Sequence, residues 1–227
     1  MASLLWQSEY KALFIIQRIT GISHEPGRLI MIDYLVHLYK SGTEPFRTLS
    51  VLPEDDAIQI MQSLYMAGSI FWERFEDPAA YLRLRKQIEQ HIRQAFIAKG
   101  GMPQEAHPIY MAFGRSRWML NDLDAVTRAT TTEIEVPLSL FEECDVSFTY
   151  PDSMVSFLLA NEKESEYYLP DYHGKVFTLS EICAIVEANG LPGEKWGTDL
   201  PTSMPNYIEA QVWKHEPLFE YRRQRAT

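Results

Sequence analysis

The densest gathering of reactive side chains lies between Ser147 and His173: Ser-Phe-Thr-Tyr-Pro-Asp-Ser, then Tyr167-Tyr-Leu-Pro-Asp-Tyr-His-Gly. Two Pro-Asp turns, Pro151-Asp152 and Pro170-Asp171, punctuate it, and turns hold side chains within reach of substrates. Asp171 stands two residues before His173, the spacing for a carboxylate that orients an imidazole as general base. Ser147 or Ser153 would then be the nucleophile, with Tyr150 and Asp152 as substrate contacts. The simpler account is that the Asp residues cap turns while Tyr167, Tyr168 and Tyr172 pack loops.

A second cluster is Gly114-Arg115-Ser116-Arg117, placed between an expected strand and an expected helix. Backbone amides at a helix start together with two guanidiniums suit an anion or phosphate. The competing role for Arg115 and Arg117 is pairing with surface acids such as Asp122 or Asp124.

The third place is Tyr207-Ile-Glu-Ala-Gln-Val-Trp213. Alternation puts Ile208, Ala210 and Val212 on one face of a strand and Glu209, Gln211 and Trp213 on the other. A carboxylate, an amide and an aromatic facing one way make an unusual solvent face; the plain reading is an edge strand with one polar side. This stretch resembles the strand that carries the catalytic Glu in some ADP-ribosyltransferases. The resemblance is confined to residues 207–213 and implies that Glu209 stabilises positive charge at a ribose, with NAD as the substrate. It departs from that family in a long helical lead-in and in lacking a nicotinamide-binding pattern around Tyr110–Arg115.

The elements expected to position these groups change in kind along the chain. Residues 1–101 read as about four amphipathic helices: Ser3 to Thr20; His24 to Lys40, on Leu29, Ile32, Leu35/Val36 and Tyr39; one opening at Pro53-Glu-Asp-Asp56; and one from Asp77-Pro78 to Gly100-Gly101. On the last, Arg83, Arg85, Lys86 and Arg93 beside Glu89 read as a solvated face, or else as a patch for an anion, RNA or the acidic half of the same chain. Residues 102–227 read as a mixed, mainly antiparallel sheet of about five strands with interspersed short helices. Its strands are 109–113, 132–136, 146–150, 175–177 and 207–213. Pro151-Asp152-Ser153 opens a short helix with Met154 and Phe157/Leu158 inward, and Thr178 with Glu181 forms a capping box. Residues 191–205 read as a long surface loop, followed by a mixed tail after Pro217. The fold class is therefore α+β, a helical segment followed by an α+β segment, or one continuous globular domain. The lack of regular strand–helix alternation argues against a doubly wound parallel sheet.

Charge follows the same division. Residues 1–100 hold 11 Lys/Arg and 11 Asp/Glu, so the formal net charge of −10 arises wholly after them. Such an acidic balance disfavours non-specific nucleic-acid binding, which needs clustered cations. No apolar run approaches the roughly 20 residues that span a bilayer, and the N-terminus lacks a basic signal-peptide start. Two cysteines, Cys144 and Cys183, make no disulfide framework, so a cytoplasmic protein with reduced, packed thiols is expected. No histidine has a partner at metal spacing, so no metal site is expected. No phosphate-binding glycine loop, GxGxxG or nucleophile elbow is present, and the residues name no cofactor.

Two function classes fit. The first is a partner-interaction or regulatory module whose acidic, aromatic-rich half takes a basic protein or a small anionic ligand. The second is a nucleotide- or NAD-using transferase with a cleft built from Arg115, Ser147–Asp152, His173 and Glu209.

Overall fold

The computed structural model describes residues 32–193, 196, 200, 201 and 204–225. The expected helix at Ser3–Thr20 and the beginning of the one at His24–Lys40 lie outside them. Five strands form one antiparallel sheet in the order β3-β1-β2-β5-β4, with β1 Tyr34–Lys40, β2 Ile109–Phe113, β3 Thr131–Pro137, β4 Val146–Thr149 and β5 Glu209–Val212. Seven α-helices stand among the described residues: α1 Glu54–Leu64, α2 Pro78–Ala98, α3 Arg117–Asn121, α4 Ala125–Thr130, α5 Ser153–Asn161, α6 Leu179–Asn189 and α7 Glu216–Arg225. The fold is α+β as expected, but helices and strands are interleaved rather than set one after the other.

The main departure is β1. The sequence spacing predicts a helix to Lys40, whereas residues 34–40 form a strand paired with β3 along its length and with β2 at Leu35 and Val36. Leu35 and Val36 point to opposite faces and both are fully buried. A strand covered on both sides shows no apolar/polar alternation, so its apolar residues matched helical spacing instead. Residues 175–177 supply a single bridge, Phe148 to Phe177, rather than a strand. The tail after Pro217 is helical, as α7.

Helix ends follow local chemistry. Asp77 accepts a hydrogen bond from Ala80 N–H ahead of Pro78 at the start of α2, Ser116 caps α3, and Thr178 with Glu181 closes the capping box of α6. Helix α5 opens at the Asp152 cap and packs Met154 and Phe157 against buried clusters as expected, but its most deeply buried positions are Ser153, Ser156 and Leu159, and Leu158 is exposed. The segment read as a surface loop is pinned by Trp196, which is buried and donates from Nε1 to Gly190 O at 2.9 Å. Both cysteines are free thiols, and Cys183 is exposed rather than packed.

The two faces of the sheet differ. Register puts Leu35, Met111, Phe113, Phe148, Ala210 and Val212 on one face, where they join Ile182 and Val186 of α6 and Leu218 of α7 in the largest core. The opposite face carries polar rows, Tyr110–Gln211–Ser147 and Glu209–Thr149. Helix α2 stands on that side, packing Ile88, Ile92 and Phe96 with Trp213. No helix of the described residues is long and apolar enough to cross a membrane.

Candidate functional site

Strand β5 runs between β2 and β4, so the polar side of Glu209-Ala-Gln211 is interior and not the outer face of an edge strand. Buried polar groups must be hydrogen-bonded to be tolerated, and here they form a continuous network. Trp213 Nε1 donates to Ser147 Oγ at 2.9 Å, and Ser147 donates to Gln211 Oε1 at 2.9 Å. The Gln211 amide donates to Thr149 Oγ1 at 2.9 Å and to Glu209 Oε2 at 3.2 Å. Ser153 N–H adds a bond to the same carboxylate oxygen at 2.9 Å. Ser147 and Ser153 thus serve to hold Gln211 and Glu209.

Glu209 meets Asp152 at one small cavity of about 10 Å³ that is also lined by Arg74, Tyr81, Arg85 and Tyr110. Burial, reinforced by the neighbouring Asp152 carboxylate, pushes the Glu209 carboxyl up to about 7. Asp152 caps α5 through Val155 N–H, and its other oxygen lies 3.9 Å from Arg74 Nη1. Arg85 is held by Glu89, a fully buried carboxylate one helical turn along α2. Glu89 accepts from Arg85 Nε at 3.0 Å, Ser50 Oγ at 2.8 Å and Tyr110 Oη at 3.0 Å, and it lies 2.6 Å from His107 Nδ1. The face carrying Arg85 and Glu89 is therefore not the solvated one expected.

Glu209, Arg74, Arg85, Tyr81 and Tyr110 also line a much larger groove of about 790 Å³, within the range of small-molecule sites. It opens where β1 and β2 part beyond Val36. The His37 ring bridges the gap: its Nδ1 lies 3.0 Å from Tyr110 O, and Phe46 N–H donates to its Nε2 at 2.9 Å. A carbonyl only accepts and an amide N–H only donates, so the ring is the neutral Nδ1–H tautomer. Burial, which lowers the His37 pKa to about 4, agrees with that assignment. Phe46 takes a positive φ of 61° to reach its place in the core. Five cations, Lys40, Arg47, Arg74, Arg85 and Arg222, line the groove against two carboxylates, Glu44 and Glu209. Glu89 and Asp152, which fix Arg85 and Arg74, stand off its wall.

Of the residues singled out by sequence, the structure gathers Glu209, Asp152, Ser147 and Ser153 in one place. Arg115 is elsewhere, ion-paired with Glu133 and Glu135 of β3, and Arg117 is exposed on α3. Tyr150 is buried in the core of the opposite face, donating from its hydroxyl to Asn206 Oδ1 at 2.9 Å. His173 stacks on Tyr150 and accepts Leu169 N–H at Nδ1, with burial lowering its pKa to about 4. Asp171 is exposed and pairs at 3.9 Å with Lys175 instead of orienting His173. Among the site residues read from sequence, Arg74, Tyr81 and Tyr110 are missing, and Arg85 figures only in the alternative patch on its helix. Tyr81, Arg85 and Glu89 recur at i, i+4 and i+8, one face of α2, which is the pattern that marks them.

Among the described residues no group of three or more His, Cys, Asp or Glu is arranged to hold a metal ion. The chain matches no protein-family model, no curated protein and no solved structure.

Proposed function

We propose that this chain is a group-transfer enzyme acting on a phosphate-bearing nucleotide in the groove, with Glu209 as its catalytic carboxylate. NAD is the substrate implied by the resemblance at residues 207–213. The observation that carries the reading is the position of Glu209, a buried carboxylate poised near neutrality on the wall of a cation-lined groove. A carboxylate in such a low-dielectric site stabilises positive charge developing at a neighbouring carbon far better than one in water. In the transfer, the base leaves with the electron pair of the glycosidic C–N bond. An acceptor forms the new bond at the same carbon, and its proton passes to Glu209. Arg74 and Arg85 replace Arg115 as the phosphate-holding cations, and Tyr81, Tyr110 and Tyr207 supply aromatic walls.

The test is nicotinamide release from NAD by the wild-type chain and by Glu209→Gln, with melting temperature followed in parallel. The wild type should release nicotinamide and be stabilised by NAD. The variant should lose about 10²-fold or more of the rate while still folding. If NAD and other nucleotides neither react with the wild type nor raise its melting temperature, this reading falls.

A second reading, a binding module, draws on the exposed apolar residues Val51, Ile60 and Phe219 that also line the groove. Its occupant would be an acidic or neutral partner, since the cations of the wall repel a basic one. In that case Glu209→Gln leaves partner affinity unchanged.

A further inference from the structure

The wall of the groove changes character away from Glu209. Leu49, Val51 and Leu52, from the turn ahead of α1, and Ile60 and Leu64 of α1 line it with aliphatic side chains. Leu49, Leu52 and Leu64 pack on one cluster with Phe75 and Tyr81, so the stretch is continuous. It is also open, with Val51 58% and Ile60 37% exposed. Tyr81 joins it to the charged end. Its ring meets Phe75 edge-on with centroids 5.2 Å apart, and its hydroxyl accepts from Arg85 Nη1 at 3.0 Å.

A nucleotide makes poor use of that stretch. Bases and sugars carry polar edges that are costly to bury without partners, and aliphatic side chains provide none. Ser63, beside them on α1, turns its hydroxyl back to Ile60 O at 2.7 Å. A contiguous apolar wall in a concave site suits a hydrocarbon, which gains from leaving water. Charge narrows the choice. Lys40 lies 5.6 Å above the ring of Trp72, which packs on the same cluster, and Arg47 and Arg222 also line the groove. Together with Arg74 and Arg85 they oppose an ammonium group. An alcohol is neutral and carries the proton that Glu209 has to take.

We infer that the acceptor in the proposed transfer is an alcohol with a hydrocarbon body, which lies along Leu49–Leu52 and α1. This rests on the nucleotide reading above and names the second substrate of the same groove. The alcohol oxygen forms the new bond to the ribose carbon as nicotinamide leaves with the C–N electron pair. The hydroxyl proton passes to Glu209 and then to water. The test uses the full chain with NAD and primary alcohols from methanol to butanol at one concentration, with alkyl ADP-ribose and nicotinamide both measured. Alkyl transfer should rise about fourfold per added methylene. Butylamine, protonated at neutral pH, should be a poorer acceptor than butanol. In the double variant Val51→Asn, Ile60→Asn the chain-length dependence should flatten while methanol transfer stays at the wild-type rate, which separates a lost wall from lost folding. Leu52→Asn should flatten it as well, and its butanol-to-methanol ratio is independent of how much of the protein is folded. If nicotinamide is released but transfer ignores chain length, favours butylamine or is unchanged in the double variant, the acceptor assignment is wrong and the nucleotide reading stands. The assignment also fails if the double variant breaks up an oligomer in sedimentation, since a second copy then covers the wall. If no acceptor brings about nicotinamide release, both fall together.

Discussion

Glu209 and the buried histidines pull the stability of the fold in opposite directions as pH changes. The Glu209 carboxyl titrates near 7 when folded, above its ordinary value of 4.5, because burial and Asp152 oppose its charge. Between those values the folded chain holds a proton that the unfolded chain has released. Stability from this group is thus complete below about 4.5 and lost as pH rises through 7. Glu209→Gln removes the loss, so the variant should melt higher than wild type at pH 8 and alike at pH 5, even as it loses activity. His37 and His173 act the other way. Each is held neutral by burial with a pKa of about 4, below the ordinary 6.5. In that window the unfolded chain binds the extra protons, so stability is complete above 6.5 and falls as pH drops toward 4. Urea unfolding between pH 6.5 and 4.5 should show a downward slope approaching about 1.4 kcal/mol per pH unit for each histidine, offset in part by Glu209. In a Glu209→Gln background, His37→Gln should cut that slope by about one proton, whatever it does to absolute stability. An unchanged slope would mean that the ring is not confined to one tautomer between Tyr110 and Phe46.

Helix α2 is the element that joins fold to site. Asp77 and Pro78 start it, the Phe96 ring packs so closely on Gly101 that a Cβ there would lie 2.5 Å from ring carbons, and Leu82, Ile88, Ile92 and Phe96 anchor it. Its Tyr81–Arg85–Glu89 line is both a structural joint and the means by which Arg85 is held at the groove. Removing one partner of a buried ion pair strands the other, at about 3–5 kcal/mol. Glu89→Ala should therefore destabilise strongly in denaturant titrations, well beyond Glu89→Gln, which keeps an acceptor for Ser50 and Arg85. At this scale the sequence was legible wherever a local rule operates. Asp77-Pro78, Ser116 and Thr178 with Glu181 mark real helix starts, and the strands at 109–113, 131–137 and 146–149 lie where alternation or an apolar run puts them. Sequence failed where tertiary context decides. The alternation of Ile208–Trp213 was right, but only the sheet order shows that its polar side is interior. The apolar residues of β1 fit a helix because both its faces are covered. Arg85 and Glu89 read as a solvated pair because their charges outweighed the helical line they share with Tyr81.

Over the whole molecule the same limit applies to charge. Composition shows a chain with a formal charge of −10, and the natural deduction is repulsion of anions. Folding instead brings Lys40, Arg47, Arg74 and Arg85, drawn from the neutral first hundred residues, together with Arg222 from the far end of the chain, around one groove. On the proposed reading, the net negative charge of the chain disfavours long polyanions while the cations of the groove favour a small one. The two sets of cations differ in screening. Arg47 and Arg222 are exposed and share Glu44 at the rim, whereas Arg74 and Arg85 are largely buried beside Asp152 and Glu89. Exposed charges fade once the Debye length shrinks below their separation from the ligand, from about 10 Å at 0.1 M salt to about 3 Å at 1 M; buried ones are screened much less. Affinity for pyrophosphate should accordingly fall with added salt and then level off. Arg222→Gln should flatten the salt dependence and leave the high-salt affinity near wild type. Arg74→Gln should lower affinity at every salt concentration. If Arg74→Gln and Arg222→Gln give parallel curves, the groove has no buried cationic end, and the phosphate role assigned to Arg74 is lost.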